Sequence, residues 1–290
     1  MSSKLNLLVD LVYGRRFAVG SRTYDSGRRV VAQPRHTFKG EHEPWMDALY
    51  NVALEINGGS VVDVGVNLMQ TLFKILAIDP LRSYVGFEPQ MPAALIARDF
   101  AARNGLSQVT IICTALSEDC GLAQLKTRSS LGLDSSASIT DIRPDSFYHS
   151  SEYIPTLRGD AILGSLCPAG ISLLNVDVEG AEREVLYGCR ETLTSARPVV
   201  AFEVLNDWVD PAGNPEAIER SRQKDQRAAD LSTMFAELGF DLFSVRAGGI
   251  EKIDLIRRRI SDDLSLCNYA AVPQERRDDF LSALRRWQVK

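Results

Sequence analysis

Short apolar runs alternate with helical patterns from residue 60 onward, and no other feature restricts the fold as strongly. Each run has four to eight residues, the length of a buried strand. Strands are predicted at residues 60–64, 84–87, 109–113, 171–178, 199–204, 242–245 and 269–272, with helices between most of them. Strands separated by helices form βαβ units with right-handed crossovers. The pattern predicts an α/β fold, a Rossmann-like doubly wound and mostly parallel sheet with an antiparallel C-terminal strand.

Two segments lack this regular pattern. Residues 1–50 are polar and rich in Arg, and residues 126–151 are rich in Ser, Asp, Arg and Gly. We interpret the first as an N-terminal extension and the second as a long loop, a kind of segment that is usually functional or disordered. No repeat or Pro/Ser-rich linker divides the rest, so residues 51–290 are predicted to form one domain, although the length alone would allow two.

Composition excludes several classes of protein. The chain has 33 Lys and Arg against 38 Asp and Glu, a net charge of −5, which speaks against general nucleic-acid binding. No apolar run approaches the roughly 20 residues of a membrane span, and Asp10 interrupts the apolar start too early for a signal peptide. The five cysteines include no CxxC pair, so reduced thiols and no metal site are expected. We therefore expect a soluble cytoplasmic protein; its oligomeric state stays open.

The residues that follow the predicted strands carry the chemistry. Ligands of open parallel sheets bind beyond the carboxyl ends of the strands. Gly65 permits a tight turn there, and the helix that follows offers its N-terminus to an anionic group. Glu88 lies 25 positions after Asp63, close to the roughly 20 expected for an acid that accepts hydrogen bonds from a ribose. These features predict a site for a nucleoside that carries a small charged group.

A dinucleotide cofactor is the obvious rival for this site. Its Gly-x-Gly-x-x-Gly fingerprint would need glycine where Asn67 and Gln70 stand, and the Gly-Lys-Ser/Thr of a P-loop is also absent. A nucleotide-dependent oxidoreductase therefore remains only as an alternative enzyme.

The strand-end motifs resemble those of a known family. The strings are VVDVGVN (61–67), GFEP (86–89), TALS (114–117), NVDVEGAE (175–182) and NYAAVP (268–273). In order and separation they are similar to the motifs of the FkbM-type S-adenosylmethionine-dependent methyltransferases, over about residues 43–273. The DVEGAE string after a strand is the specific signal. The resemblance implies a class I methyltransferase fold, S-adenosylmethionine as cofactor, and methyl transfer to a hydroxyl of a small molecule, sugar or glycolipid.

The resemblance also implies roles for individual residues. Asp63, Gly65 and Asn67 would hold the methionine end of the cofactor, Glu88 the ribose hydroxyls, and Ala115 and Leu116 would lie near the adenine. Thr71 and Pro89 complete the predicted cofactor-binding set. Asp63 has an alternative role as a cap of the following turn. Acceptor specificity is expected in residues 1–50, as an acceptor-site arm, and in residues 126–151.

Methyl transfer to an alcohol requires removal of the hydroxyl proton. Asp177 is the first candidate base, because it ends the fourth strand, and Glu179 is the second. Glu179 could instead only stabilise a helix N-terminus. A divalent cation held by Asp177 with Glu179 or Glu203 would be another way to lower the acceptor's pKa, although no spacing pattern supports it.

Two positions depart from the family pattern, which usually has Gly at Met69 and Lys at Asn175. A bulky Met69 side chain is expected where the backbone passes close to the cofactor. The alternative from another functional class is thus a non-catalytic nucleoside-binding protein with a degenerated site.

Overall fold

The computed structural model describes residues 16–19, 21–25, 43–128 and 133–288, and its centre is an eight-stranded sheet. Its strands are β3 (Ser60–Val64), β4 (Tyr84–Phe87), β5 (Val109–Ile112), β9 (Ile171–Val176), β10 (Val199–Glu203), β11 (Phe240–Arg246), β12 (Gly249–Ile253) and β13 (Asn268–Pro273). They lie in the order β12-β11-β13-β10-β9-β3-β4-β5. The neighbouring strands β10, β9, β3, β4 and β5 are parallel to one another. Strand β13 is antiparallel to both β10 and β11. The predicted doubly wound sheet with an antiparallel C-terminal strand is confirmed.

Helices cover both faces of this sheet, because its central strands are apolar on both sides. Val61 and Leu173 pack into one buried cluster, whereas their neighbours Val62 and Leu174 pack into another. The first cluster includes side chains from α1 (Asp47–Ile56), α2 (Gln70–Ile78), α3 (Met91–Arg103) and α8 (Arg277–Gln288). The second includes side chains from α4 (Gly159–Leu166), α5 (Glu182–Tyr187), α6 (Arg190–Ala196) and α7 (Pro215–Glu237). None of the helices described is long and apolar enough to cross a membrane.

A second, three-stranded sheet was not predicted. It consists of β6 (Ala115–Ser117), β7 (Gly121–Thr127) and β8 (Ser150–Arg158), in the order β6-β8-β7. The predicted loop at 126–151 therefore contains the end of one strand and the start of another. Residues 133–149, within that interval, form a connection that we call the strap.

The N-terminal prediction lies largely outside the described residues. Within residues 1–50, a hairpin of β1 (Arg16–Val19) and β2 (Arg22–Asp25) packs Val19 and Tyr24 into the first buried cluster. Helix α1 already begins at Asp47. The connection between β9 and β10 contains two helices, α5 and α6, which are separated at Gly188. A Cβ at Gly188 would lie 2.1 Å from the carbonyl oxygen of Ser117.

Met69 adopts the left-handed backbone conformation, with φ +68°, directly before α2. Glycine is the residue that tolerates such a φ without strain, which gives a physical reason for the glycine of the family pattern. The Met69 side chain is 1% exposed and packs in the first buried cluster. The expectation that it crowds the cofactor is therefore wrong, because the side chain points into the core.

This placement predicts opposing effects for substitutions at Met69. Both Met69→Ala and Met69→Gly lose a buried side chain, which typically costs about 2–5 kcal/mol. Glycine also relieves the left-handed strain, worth about 1–2 kcal/mol. We expect both variants to be less stable than the parent in urea unfolding, with Met69→Gly the more stable of the two by about 1 kcal/mol. If Met69→Ala is as stable as Met69→Gly, the backbone at this position is not strained.

Candidate functional site

A cavity of about 400 Å³ lies at the carboxyl ends of β3, β4, β9 and β10. This volume is within the range of about 300–1,000 Å³ that is typical of ligand pockets. Nine of the ten residues predicted for the site line it: Gly65, Asn67, Thr71, Glu88, Pro89, Ala115, Leu116, Asp177 and Glu179. The tenth, Asp63, is fully buried and is not among the lining residues.

The turn after β3 and the loop after β9 meet at the floor of the cavity. Gly65 has φ +96°, and a Cβ at this position would lie 1.9 Å from the carbonyl oxygen of Asp177. The amide of Asp177 donates a hydrogen bond of 2.9 Å to the carbonyl of Val64. Only glycine fits this close approach, so Gly65 sets the position of Asp177 relative to the turn.

Glu88 lies at the tip of β4, and its carboxylate is held by two backbone amides. Its Oε2 accepts a hydrogen bond from the amide of Asn67, and its Oε1 accepts one from the amide of Gln90, both at 2.8 Å. Burial raises the pKa of Glu88 to about 7, and the two amides partly oppose this shift. A carboxylate has about four acceptor positions, so Glu88 can still accept hydrogen bonds from a ligand in the cavity.

Asp63 is the centre of a buried polar network beneath the cavity. Tyr84 donates a hydrogen bond from its hydroxyl to Oδ2 of Asp63, and Asn175 donates from Nδ2 to Oδ1 at 2.8 Å. Tyr50 of α1 then donates to Oδ1 of Asn175 at 3.0 Å. Burial raises the pKa of Asp63 to about 6, against the lowering effect of both hydrogen bonds. Asp63 thus joins β3, β4, β9 and α1, and its predicted contact with the methionine end of a cofactor stays a prediction.

Three carboxylates gather at the tips of β9 and β10. One oxygen each of Asp177, Glu179 and Glu203 lies within 4.8 Å of the others, the kind of cluster that could hold a metal ion. Asp177 is exposed within the cavity, yet desolvation is the first cause of its raised pKa, followed by repulsion from Glu179. Desolvation followed by repulsion from Asp177 also raises the pKa of Glu203. Neither Asp177 nor Glu203 uses its side chain for a hydrogen bond or ion pair with the described residues.

Glu182 supports the loop that carries Asp177 and Glu179. It is buried, and its Oε1 accepts hydrogen bonds from the amides of Val178 at 3.2 Å and Gly180 at 3.1 Å. Burial raises the pKa of Glu182 to about 7, although these backbone hydrogen bonds lower it. Glu182 does not line the cavity, so it positions the loop rather than contacting a ligand.

Sequence reasoning did not identify the residues that attach the strap over the cavity. The Gln90 side chain exchanges two hydrogen bonds with the backbone of Asp134, of 2.9 Å and 2.8 Å. Arg143 forms an ion pair with Glu179, and its guanidinium lies 4.9 Å from the ring centre of Phe147. Gln90 directly follows Glu88-Pro89, which was a usable signal, whereas nothing in the sequence pairs Arg143 with Glu179.

Comparisons with known proteins identify the family of this chain. A family model described as Methyltransferase FkbM domain matches residues 59–242, more than half of the chain. A comparison with curated proteins finds no matching relative.

Solved structures show weaker likenesses. A methyltransferase FkbM from Methylobacillus flagellatus KT is 13% identical with a TM-score of 0.45, and the match covers 74% of this chain and 43% of that chain. The chain thus spans less than half of that structure's length. An O-methyltransferase from Bacillus cereus, solved in complex with SAH, is 13% identical with a TM-score of 0.39, covering 79% of this chain and 81% of that chain. The family match over residues 59–242 decides the assignment: the chain belongs to the FkbM methyltransferase domain family.

Proposed function

We propose that the protein is an S-adenosylmethionine-dependent O-methyltransferase that acts on a hydroxyl group of a small-molecule or carbohydrate acceptor. One observation supports this most: Glu88 and Asp177 line one cavity, on either side of the turn at Gly65. The turn that would receive the methionine end of the cofactor thereby separates two acids. Glu88 is suited to bind a ribose, and Asp177 is suited to bind an acceptor hydroxyl.

The described residues fit such a cofactor. Asn67, two residues after Gly65, has a left-handed backbone with φ +46°, and its amide donates a hydrogen bond to the Glu88 carboxylate. The tight turn therefore lies next to that carboxylate. Ala115 and Leu116 offer apolar surface on the β5 side, where an adenine would bind. Asp63 would hold the turn from below, through Tyr84 and Asn175.

The proposed reaction is an in-line displacement at a methyl group. When bound, S-adenosylmethionine supplies that methyl group on a sulfonium whose thioether is a good leaving group. Asp177 accepts the hydroxyl proton of the acceptor, as a positioned base worth typically about 10²–10⁴-fold. Burial, followed by repulsion from Glu179, raises the pKa of Asp177, which makes Asp177 a stronger base once it is ionised.

The N-terminal extension is proposed as an acceptor-site arm. Glu43 and Met46, near the end of this extension of residues 1–50, line the cavity. The Glu43 side chain accepts a hydrogen bond of 3.4 Å from Nδ2 of Asn268, at the start of β13. The extension therefore joins the domain beside the cavity, on the side away from Glu88.

The role of Asp177 predicts a separation of binding from turnover. Asp177→Asn keeps the shape of the side chain but removes the base, so methyl transfer to hydroxylated acceptors should fall at least 100-fold. Binding of S-adenosylhomocysteine, measured by calorimetry, should change only a few-fold. Asp119→Asn, the same change at an exposed residue outside the cavity, is the control. Full activity of Asp177→Asn, followed as transfer of a labelled methyl group, would remove Asp177 from the mechanism.

The same carboxylates allow a second mechanism, in which a divalent cation lowers the pKa of the acceptor. Carboxylate oxygens are suitable Mg²⁺ ligands. If Asp177 acts as a base, treatment with EDTA should leave turnover unchanged within twofold. A loss of turnover that Mg²⁺ restores would instead assign the cluster to a cation.

Glu88 predicts how cofactor affinity depends on pH. Ribose hydroxyls donate hydrogen bonds to a carboxylate, so binding favours the ionised form of Glu88 and lowers its pKa from about 7. We therefore expect S-adenosylhomocysteine to bind several-fold more tightly at pH 8 than at pH 6, with a plateau above the pKa of the free protein.

The Glu88→Gln variant should bind S-adenosylhomocysteine more weakly than the parent, and its affinity should lose most of this pH dependence. Asp119→Asn, at an exposed acid outside the cavity, is the control and should keep the affinity and the pH dependence of the parent. Calorimetric titrations across this pH range would contradict the role of Glu88 if Glu88→Gln kept the parent's pH dependence.

A further inference from the structure

Large apolar side chains are exposed on two loops beside the cavity. Trp208 is 55% exposed, Val209 78%, Ile260 57% and Leu264 50%. We call these four residues the rim. Clustered exposed apolar side chains with polar neighbours mark ligand grooves or interaction surfaces in soluble domains.

The loops that carry the rim are tied together and to α7. The amide of Asp207 donates to the carbonyl of Arg259 at 3.0 Å, and the amide of Ser261 donates to the carbonyl of Asp207 at 2.8 Å. The Asp207 carboxylate forms ion pairs with Lys224 at 2.9 Å and with Arg258 at 2.7 Å. Asp207 thereby fixes the backbone next to Trp208, so the exposed indole sits on an anchored loop.

The rim continues into the cavity. Trp208 and Leu264 line the cavity themselves, and the buried Leu205 and Phe202 line it deeper inside. Glu203 follows Phe202 directly, so this apolar track ends at the carboxylate cluster. It lies on the β10 side of Asp177, whereas Glu88 lies on the opposite side at β4. Adjacent strands are about 4.8 Å apart, so the three strand spacings from β4 to β10 separate the two regions by about 14 Å.

We propose that the rim binds the apolar part of an amphiphilic acceptor, while a hydroxyl at the other end of that acceptor reaches Asp177. This inference rests on the proposed methyl transfer in the same cavity. It names Trp208, Val209, Ile260 and Leu264 as the residues that select acceptors whose apolar portion lies at the opposite end from the reacting hydroxyl. The carboxylates at the inner end of the track accept hydrogen bonds from hydroxyls, which fixes the orientation of such a molecule.

The test uses 1,2-butanediol, 1,2-hexanediol and 1,2-octanediol, which share one hydroxylated end and differ only in alkyl length. Each methylene group removed from water strengthens binding about fourfold. We expect calorimetry on the full chain to show affinity rising at least tenfold from butanediol to octanediol. In a Trp45→Phe/Trp287→Phe background, the emission of Trp208 should shift to shorter wavelength as octanediol binds.

The variant Val209→Ser/Ile260→Ser changes only exposed rim residues and keeps Trp208 as the reporter. It should weaken octanediol binding at least fivefold and leave butanediol binding unchanged. The matched control is Leu81→Ser/Tyr153→Ser, two side chains that are both 75% exposed and lie outside the cavity lining. Equal binding of the three diols, or equal loss in the control variant, would overturn the proposal.

Two further outcomes would also overturn it. A response of Trp208 to neutral phospholipid vesicles, with none to the diols, would assign the rim to a lipid surface. Emission of a buried indole before any ligand is added would mean that the rim is already covered, by a second copy or by residues 26–42. The diols are titrated without cofactor, and S-adenosylhomocysteine binding is measured separately, so failure of the rim proposal is distinguishable from failure of the proposed function.

Discussion

The contact between Gly65 and the carbonyl of Asp177 is the constraint on which the site depends. It exists because β3 and β9 are neighbours in the sheet, and the chain leaves β3 toward β4 but leaves β9 toward β10. This reversal opens a crevice at the carboxyl ends of the strands, where open α/β sheets bind their ligands. A side chain at Gly65 would push the two loops apart and separate Asp177 from the turn. The buried network around Asp63 fixes the same strands from below.

Buried acids surround this contact, and they reduce the stability of the fold at neutral pH. Folding raises the pKa of Asp63 to about 6 and the pKa of Glu88 and Glu182 to about 7. Between the unfolded pKa values near 4 and these folded values, the folded state binds more protons than the unfolded state. The contribution of each of these acids to the stability of the fold therefore falls as the pH rises through this window. Buried acids with raised pKa values are typical of functional sites. Here Asp63 holds the turn, Glu88 faces the cavity and Glu182 holds the loop after β9.

Seven of the eight strands of the central sheet could be predicted, because they form continuous apolar runs. The eighth, β12, could not, because only Ile250 of its five residues is buried. Strands β7 and β8 could not, because few of their side chains are buried, chiefly Leu125 and Ile154, and their polar composition is typical of a loop. The strand-end acids were predictable from their positions after the apolar runs. Contacts between distant residues were not: Asn175 and Tyr50, 125 positions apart, meet only in the folded chain. The direction of the Met69 side chain likewise depends on a backbone φ that the sequence does not show.

The central claim is that one cavity holds the ribose end of S-adenosylmethionine at Glu88 and the reacting methyl group at Asp177. A crystal structure of the protein with S-adenosylhomocysteine bound is the most direct test. The account predicts both ribose hydroxyls within hydrogen-bond distance of the Glu88 carboxylate, and the sulfur beside the Gly65 turn, facing Asp177. A ligand bound elsewhere, or bound here with its ribose away from Glu88, would contradict it.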